Sequence, residues 1–351
     1  MKTISFLMPC RMNFPAGGFK IALEYANRLV DCGYNVNFII PAVLYTLKNH
    51  IAGIFRYPYY KISGNYTPRK WFNTNKKINF YFVKSLRQKN VIDSDIYIAT
   101  SVETSYYLNK YKTNAEKIYF IQDFEAWDMS EKQVLKSFTF DMKKIVISPW
   151  LLDKVKEIGE TAILIPNGFD FSRFSYITPA DSRNKFSLLV MHHKDERKRC
   201  TDSYKAIAYV KQKYPQIKVK LFGVPKRPKN LTFDFEYFQK PNPKTLNELY
   251  NDAAIYIAAS EAEGFGLTVG EAMICGCSVA CTDNNGFRIM IEHEKTGLLS
   301  RVYDWESLGK NIIRLIEDDN LRLELAEKGR IKLQDFSLEK SFEKFLYFLE
   351  N

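Results

Sequence analysis

The sequence predicts an α/β protein built from two Rossmann-like domains, and three observations carry that prediction. At 351 residues the chain is long for a single hydrophobic core and suits two domains. Both halves alternate short apolar runs with stretches of helical period, the signature of βα repeats around a parallel sheet. Between them, IPNGFDFSRFSYITPADSRN (165–184) has two prolines, a glycine and no sustained period, which reads as a linker.

Taken in order, the first half offers the strands TISFLMP, NVNFIIP, DIYIATS, KIYFIQD, KIVISP and TAILIP. A helix is expected from about Gly18 to Cys32, with Ile21, Leu23, Ala26, Leu29 and Val30 on one face and Gly33 stopping it. The second half offers FSLLVMHH, a helix near 201–213, KVKLFG, EYFQ, a helix at 243–251, AIYIAAS, a helix from Leu267, and SVACT. Three helical patterns follow at 305–317, 320–333 and 337–350. The expected organisation is a first domain over 1–166, a linker over 167–184, a second domain over 185–335, and a final helix over 336–351 that crosses back to the first.

Composition excludes several classes. With 46% hydrophobic and 26% charged residues the chain has the material for packed cores and lacks the profile of a disordered protein. No run approaches the roughly 20 apolar residues of a membrane-spanning helix, and Pro9 and Arg11 spoil a secretory signal. Cys10, Cys32, Cys200, Cys275, Cys277 and Cys281 are scattered through strand and helix patterns, which suits reduced thiols and a cytoplasmic protein. The spacing of the last three matches no zinc pattern.

The net charge of +11 is local, because residues 32–92 contain ten cations and no Asp or Glu. Lys48, Arg56, Lys61, Arg69, Lys70, Lys76, Lys77, Lys84, Arg87 and Lys89 are interleaved with rings such as Tyr59, Tyr66, Trp71 and Phe80. This basic aromatic segment, 48–89, suits peripheral contact with an anionic bilayer surface. No nucleic-acid-binding motif accompanies it, so no nucleic acid partner is expected.

The strongest chemical signal is AIYIAASEAEGFGLTVGEAMICGCSVACTD, in which Glu263 and Glu271 are separated by seven residues. Gly264 and Gly266 let backbone approach a ligand closely, and the helix from Leu267 points its N–H groups and dipole at an anion. Glu271, one turn into that helix, is placed to accept bonds from ribose hydroxyls, and Glu263 to hold sugar hydroxyls. Asp93-Ser94-Asp95 imitates a metal-binding DxD but precedes a strand without supporting pattern, and reads as a turn and cap.

These residues resemble the family 4 glycosyltransferases of GT-B fold, whose hallmark is this Glu pair inside an EGFGL segment. PAGGFKIALEYANRL, IPNGFDFSRF and SVACTDNNGFRIMIEHEKTGLL extend the resemblance over nearly the whole chain. The resemblance implies two domains facing each other across a central cleft and a nucleotide-sugar donor held by Glu263, Gly264, Phe265, Gly266, Leu267, Thr268 and Glu271. It also puts Gly17 and Gly18 near the donor diphosphate. In MHHKDERKRCTD it sets a basic pair five residues apart, either His193 with Lys198 or Lys194 with Arg199, and the first is preferred. Asp123, Glu263 and Lys198 are the implied catalytic residues, with Asp123 orienting the sugar or acceptor hydroxyl, and the IQDFE form around it is similar to rhamnosyltransferases of bacterial surface polysaccharides.

By the same analogy the reaction retains anomeric configuration and needs no cofactor or divalent metal. The expected donor is dTDP-rhamnose or a UDP-hexose. The expected acceptor is a glycan or polyprenyl-linked glycan at the inner face of the plasma membrane. Two rival readings are a nucleotide-sugar epimerase of the same fold and a noncatalytic GT-B subunit that binds carbohydrate or lipid. A glycogen-type phosphorylase would need a longer chain.

Overall fold

The computed structural model describes residues 1–44, 50–127 and 129–351, with the backbone alone for 50–56. The chain divides into two compact units, Met1–Pro166 with Phe342–Asn351, and Asn167–Ser341. Each is a parallel sheet flanked by helices.

In the first unit the elements run β1 (Thr3–Leu7), α1 (Gly17–Asp31), β2 (Asn35–Pro41), α2 (His50–Ser63), β3 (Asn79–Val83), β4 (Ile96–Ala99), α3 (Val102–Leu108), β5 (Glu116–Ile121), α4 (Glu131–Phe138), β6 (Lys143–Val146), α5 (Pro149–Lys156) and β7 (Ile163–Leu164). The sheet order is β3-β2-β1-β4-β5-β6-β7, all parallel. Helices cover both faces of such a sheet, so β1 and β4 are apolar runs rather than alternating ones. Tyr25 of α1 stacks on Phe345 at 4.5 Å between ring centroids, holding the C-terminal residues to this unit.

The basic aromatic segment contains two elements the sequence pattern did not reveal, α2 and the edge strand β3. Its rings largely pack inward. Phe72 and Phe82 are buried, Tyr57 and Tyr66 stack on Phe82, and Trp71 Nε1 donates to the Met12 carbonyl at 2.7 Å. Tyr59 and Tyr81 stay exposed, as do Lys61, Arg69, Lys70, Lys76, Lys77, Lys84, Arg87 and Lys89. Lys48 lies outside the described residues, as does the Arg56 side chain. The expectation of an aromatic face is thereby narrowed to a cationic surface with few rings. Asp95 Oδ2 accepts from Thr3 N at 2.7 Å, so the DSD run ties down the start of β1.

The second unit runs β8 (Ser187–His192), α6 (Cys200–Lys213), β9 (Lys218–Gly223), β10 (Glu236–Gln239), α7 (Pro243–Asp252), β11 (Ile255–Ala258), α8 (Leu267–Ile274), β12 (Ser278–Thr282), β13 (Leu298–Ser300), α9 (Trp305–Glu317) and α10 (Asp319–Leu333). Its sheet order is β10-β9-β8-β11-β12-β13. A last helix, α11 (Leu338–Glu350), follows. The order reverses between β8 and β11, and the carboxyl ends of strands flanking such a switch point leave room for a ligand.

Residues 167–184, expected as a linker, pack into the second unit. Phe169 and Phe174 are buried, and Phe169 bridges to Ser337. Arg183, 6% exposed, donates to the carbonyls of Thr178, Tyr250, Ala253 and Cys275. Those acceptors include the ends of α7 and α8, where the dipole favours a cation. The neighbouring thiols are absorbed by the same packing, Cys275 donating to Asn247 Oδ1 at 3.2 Å and Cys277 to the Tyr250 carbonyl at 3.0 Å.

Candidate active site

At the switch point of the second unit, β8 delivers the loop 193–199 and β11 delivers the loop 259–266. The first loop is shaped by its own polar groups. Asp195 N donates to His193 Nδ1 at 3.0 Å, Arg197 N donates to Asp195 Oδ1 at 3.0 Å, and the Cys200 sulfur accepts from His193 N at 3.2 Å. Burial, followed by the charge of Lys198, holds the His193 imidazole below its ordinary pKa. Glu261 N donates to the Arg197 carbonyl at 2.7 Å and knits the two loops.

That framework sets Lys198 against Glu263, Nζ donating to Oε2 at 2.6 Å with both side chains largely shielded. Glu263 Oε1 accepts from the Ser260 hydroxyl at 2.8 Å. The Ser260 carbonyl is gripped in turn by Thr282 Oγ1 at 2.6 Å and Asn284 Nδ2 at 3.0 Å. Gly286 permits the Glu263 backbone to pass, since a Cβ there would lie 2.2 Å from the Glu263 carbonyl oxygen.

The turn after Glu263 buries Gly264, Phe265 and Gly266 and leaves Leu267 and Thr268 partly accessible. Gly266 has φ +95°, a left-handed conformation that starts α8 with no side chain capping its N-terminus. The first turn thus presents backbone N–H groups and the positive dipole end beside a lysine, an arrangement suited to a diphosphate. Glu271 is 5% exposed and its Oε2 accepts from the buried Tyr250 hydroxyl at 3.1 Å.

The two alternatives for the basic pair separate in space. Arg199, at φ +46°, bonds Asp202 at 2.8 Å and lies 4.6 Å over the Tyr303 ring. Lys198 and His193 remain with Glu263. In the first unit Gly17 opens α1 with no side-chain cap, and a Cβ on Gly18 would come within 3.0 Å of Gln122 Oε1. Asp123 Oδ1 accepts from Phe124 N at 2.8 Å, whereas Glu125 Oε2 accepts from Val102 N at the start of α3. Ser101 is the N-cap of α3, its side chain accepting from Thr104 N, and Glu125 adds a second acceptor at that helix start. Sequence reasoning did not single out Tyr250, Ser260, Thr282 or Asn284, because the bonds these side chains make depend on how the strands and loops fold together. Among the described residues no group of three or more His, Cys, Asp or Glu is placed to hold a metal ion.

Residues 178–332 match the family described as Glycosyl transferases group 1. The second unit carries a glycosyl transferase group 1 domain. The match includes Lys198, Glu263 and Glu271, and the chain is a glycosyltransferase. An uncharacterised glycosyltransferase of Haemophilus influenzae is 24% identical over 98% of this chain and 99% of its own length. The phosphatidyl-myo-inositol mannosyltransferase of Mycolicibacterium smegmatis is 25% identical, with 48% of this chain and 46% of that enzyme aligned. Among solved structures, sucrose-phosphate synthase of Thermosynechococcus elongatus superposes with a TM-score of 0.77 at 17% identity, covering 100% of this glycosyltransferase and 98% of that chain. Anabaena HepE in complex with UDP-glucose gives 0.75 at 16% identity, covering all of both chains. At these identities the structures establish the shared GT-B fold.

Proposed function

We propose that this glycosyltransferase takes a sugar from a nucleotide-sugar, without a divalent metal and with retention of configuration, and delivers it to a glycan or lipid-linked acceptor at an anionic membrane surface. The observation that carries the reading is the Lys198–Glu263 pair beside the uncapped start of α8. A diphosphate brought to that helix end meets Lys198, which stabilises the charge that develops as the nucleotide leaves. Glu263, released from the lysine, accepts hydroxyls of the transferred sugar, while Glu271 is positioned by Tyr250 for the ribose. His193 and the N–H groups of Leu267 and Thr268 complete the donor contacts.

The UDP-glucose held by the neighbour HepE favours a UDP-hexose over dTDP-rhamnose. A lipid acceptor is supported by the phosphatidyl-myo-inositol named for one relative and by the exposed cations between Lys61 and Lys89. Asp123 and the Gly17–Gly18 turn of the first unit are assigned to orienting the acceptor or donor sugar. A role in surface polysaccharide synthesis, at the cytoplasmic face, follows from such an acceptor.

The decisive test is a thermal-shift screen against UDP-, GDP-, ADP- and dTDP-sugars with EDTA present, since a ligand that binds only the folded state raises the melting temperature. A selective rise with one nucleotide, and transfer from it, supports the reading. No rise with any of them removes it, and epimerisation of the nucleotide-sugar without an acceptor favours the epimerase. For the membrane, neutralising Arg69, Lys70, Lys76 and Lys77 is expected to weaken co-sedimentation with anionic vesicles. Binding indifferent to salt argues against this surface.

A further inference from the structure

Tyr256 lies on β11 with no exposed surface, and among the described residues its phenol oxygen makes no hydrogen bond of normal geometry. A buried hydroxyl left poorly paired is destabilising, so phenylalanine would serve better if packing were the whole task. Orphaned polar groups of this kind tend to be kept where a function uses them. The surroundings indicate which one. Thr268 is within reach of the phenol, and Glu271, Glu263 and Cys200 act on it electrostatically. Its neighbour Tyr250, at 5.8 Å between ring centroids, spends its own hydroxyl on Glu271. Glu263 is occupied by Lys198 and Ser260, and Cys200 donates to the Met191 carbonyl while accepting from His193 N. Thr268, in the first turn of α8, is the partner left for it.

We propose that Tyr256 is a positioning residue for the bound donor, its hydroxyl held in reserve beneath α8 and given to Thr268 Oγ1 when Thr268 donates its own proton to the donor's diphosphate. The direction follows from the chemistry of the groups. A phosphate oxygen only accepts, so Thr268 must donate to it, and the threonine oxygen then has two lone pairs facing the interior. The phenol supplies the proton that satisfies one of them and fixes the threonine rotamer. A chain of two such bonds strengthens both.

The inference rests on the nucleotide-sugar reading of the site, and the test separates the two. Tyr256→Phe, Thr268→Val, Thr268→Ser and the double variant Tyr256→Phe/Thr268→Val are compared in melting temperature and in kcat and KM for the donor. Tyr256→Phe is expected to melt at or above the wild-type temperature while kcat falls about tenfold, the loss of one charge-assisted contact. Thr268→Val falls similarly, the double variant falls no further, and Thr268→Ser, which keeps the hydroxyl, retains kcat near the wild type. Wild-type kinetics in Tyr256→Phe, or losses that multiply in the double variant, overturn the assignment while leaving the donor site intact. Failure of the wild-type protein to bind any nucleotide-sugar overturns the site reading and Tyr256 with it.

Discussion

Lys198 and Glu263 are bonded at 2.6 Å between the ends of two neighbouring strands of the second sheet, 65 residues apart in sequence. The pair is shielded without being sealed, at 21% and 12% side-chain exposure, so a ligand can reach both groups. Lys198→Met is expected to lower kcat by about 100- to 1,000-fold, the scale for removing one preorganised stabiliser of transition-state charge. Glu263→Gln, which keeps the shape and the Ser260 bond, should act mainly through sugar recognition. Steady-state kinetics with the identified donor check both.

Glu271 separates binding from folding. Glutamine retains an oxygen for the Tyr250 hydroxyl, so Glu271→Gln should melt near the wild type and raise the donor KM about tenfold. Alanine strands that buried phenol, and Glu271→Ala is expected to lose about 1–3 kcal/mol as well. Denaturant melts of the two variants, side by side, read the difference.

Gly266 is required twice over. Its φ of +95° is strained for any L side chain, and a Cβ would lie 2.5 Å from the Phe287 ring. Gly266→Ala should therefore lower stability by about 1–3 kcal/mol and displace the start of α8, with nucleotide affinity falling in parallel. Titration calorimetry and a thermal melt report the two effects.

The loop carrying Lys198 is expected to respond to pH through His193. Burial and Lys198 lower the pKa of His193 in the folded state, so the unfolded chain binds the proton more readily. Its neutral Nδ1 accepts from Asp195 N, a bond lost on protonation. Stability from this group is intact above the ordinary histidine pKa, near 6.5, and declines as pH falls through the lower folded value. The melting temperature of His193→Asn is expected to fall less than that of the wild type between about pH 7.5 and 5.5.

The parts of the fold legible in the sequence were those whose pattern is local. KVKLFG, AIYIAAS and SVACT are short apolar runs with clear ends, and each is a strand in the second sheet. β3 was hidden because NFYFV sits inside a segment whose cations dominate any composition window. Residues 167–184 looked unstructured because Phe169, Phe174 and Arg183 each bury themselves singly, with no period to betray them. In the site, the Glu pair and the Gly-rich turn were visible because they are contiguous. The different directions of Lys198 and Arg199 were not, since neighbouring side chains part according to the backbone. The left-handed Arg199 sends its guanidinium to Asp202 and Tyr303.

β3 is an outermost strand of the first sheet, and NFYFV is uncharged and rich in aromatic and β-branched residues. An open edge of that composition invites pairing with another copy. Lys76 and Lys77 precede it and Lys84 follows it, all exposed, the placement by which charges guard a strand against self-association. Two of the four cations proposed for a membrane surface therefore also stand where they would oppose self-association through this edge, and variants lacking them must be spun without vesicles before any pellet is credited to lipid.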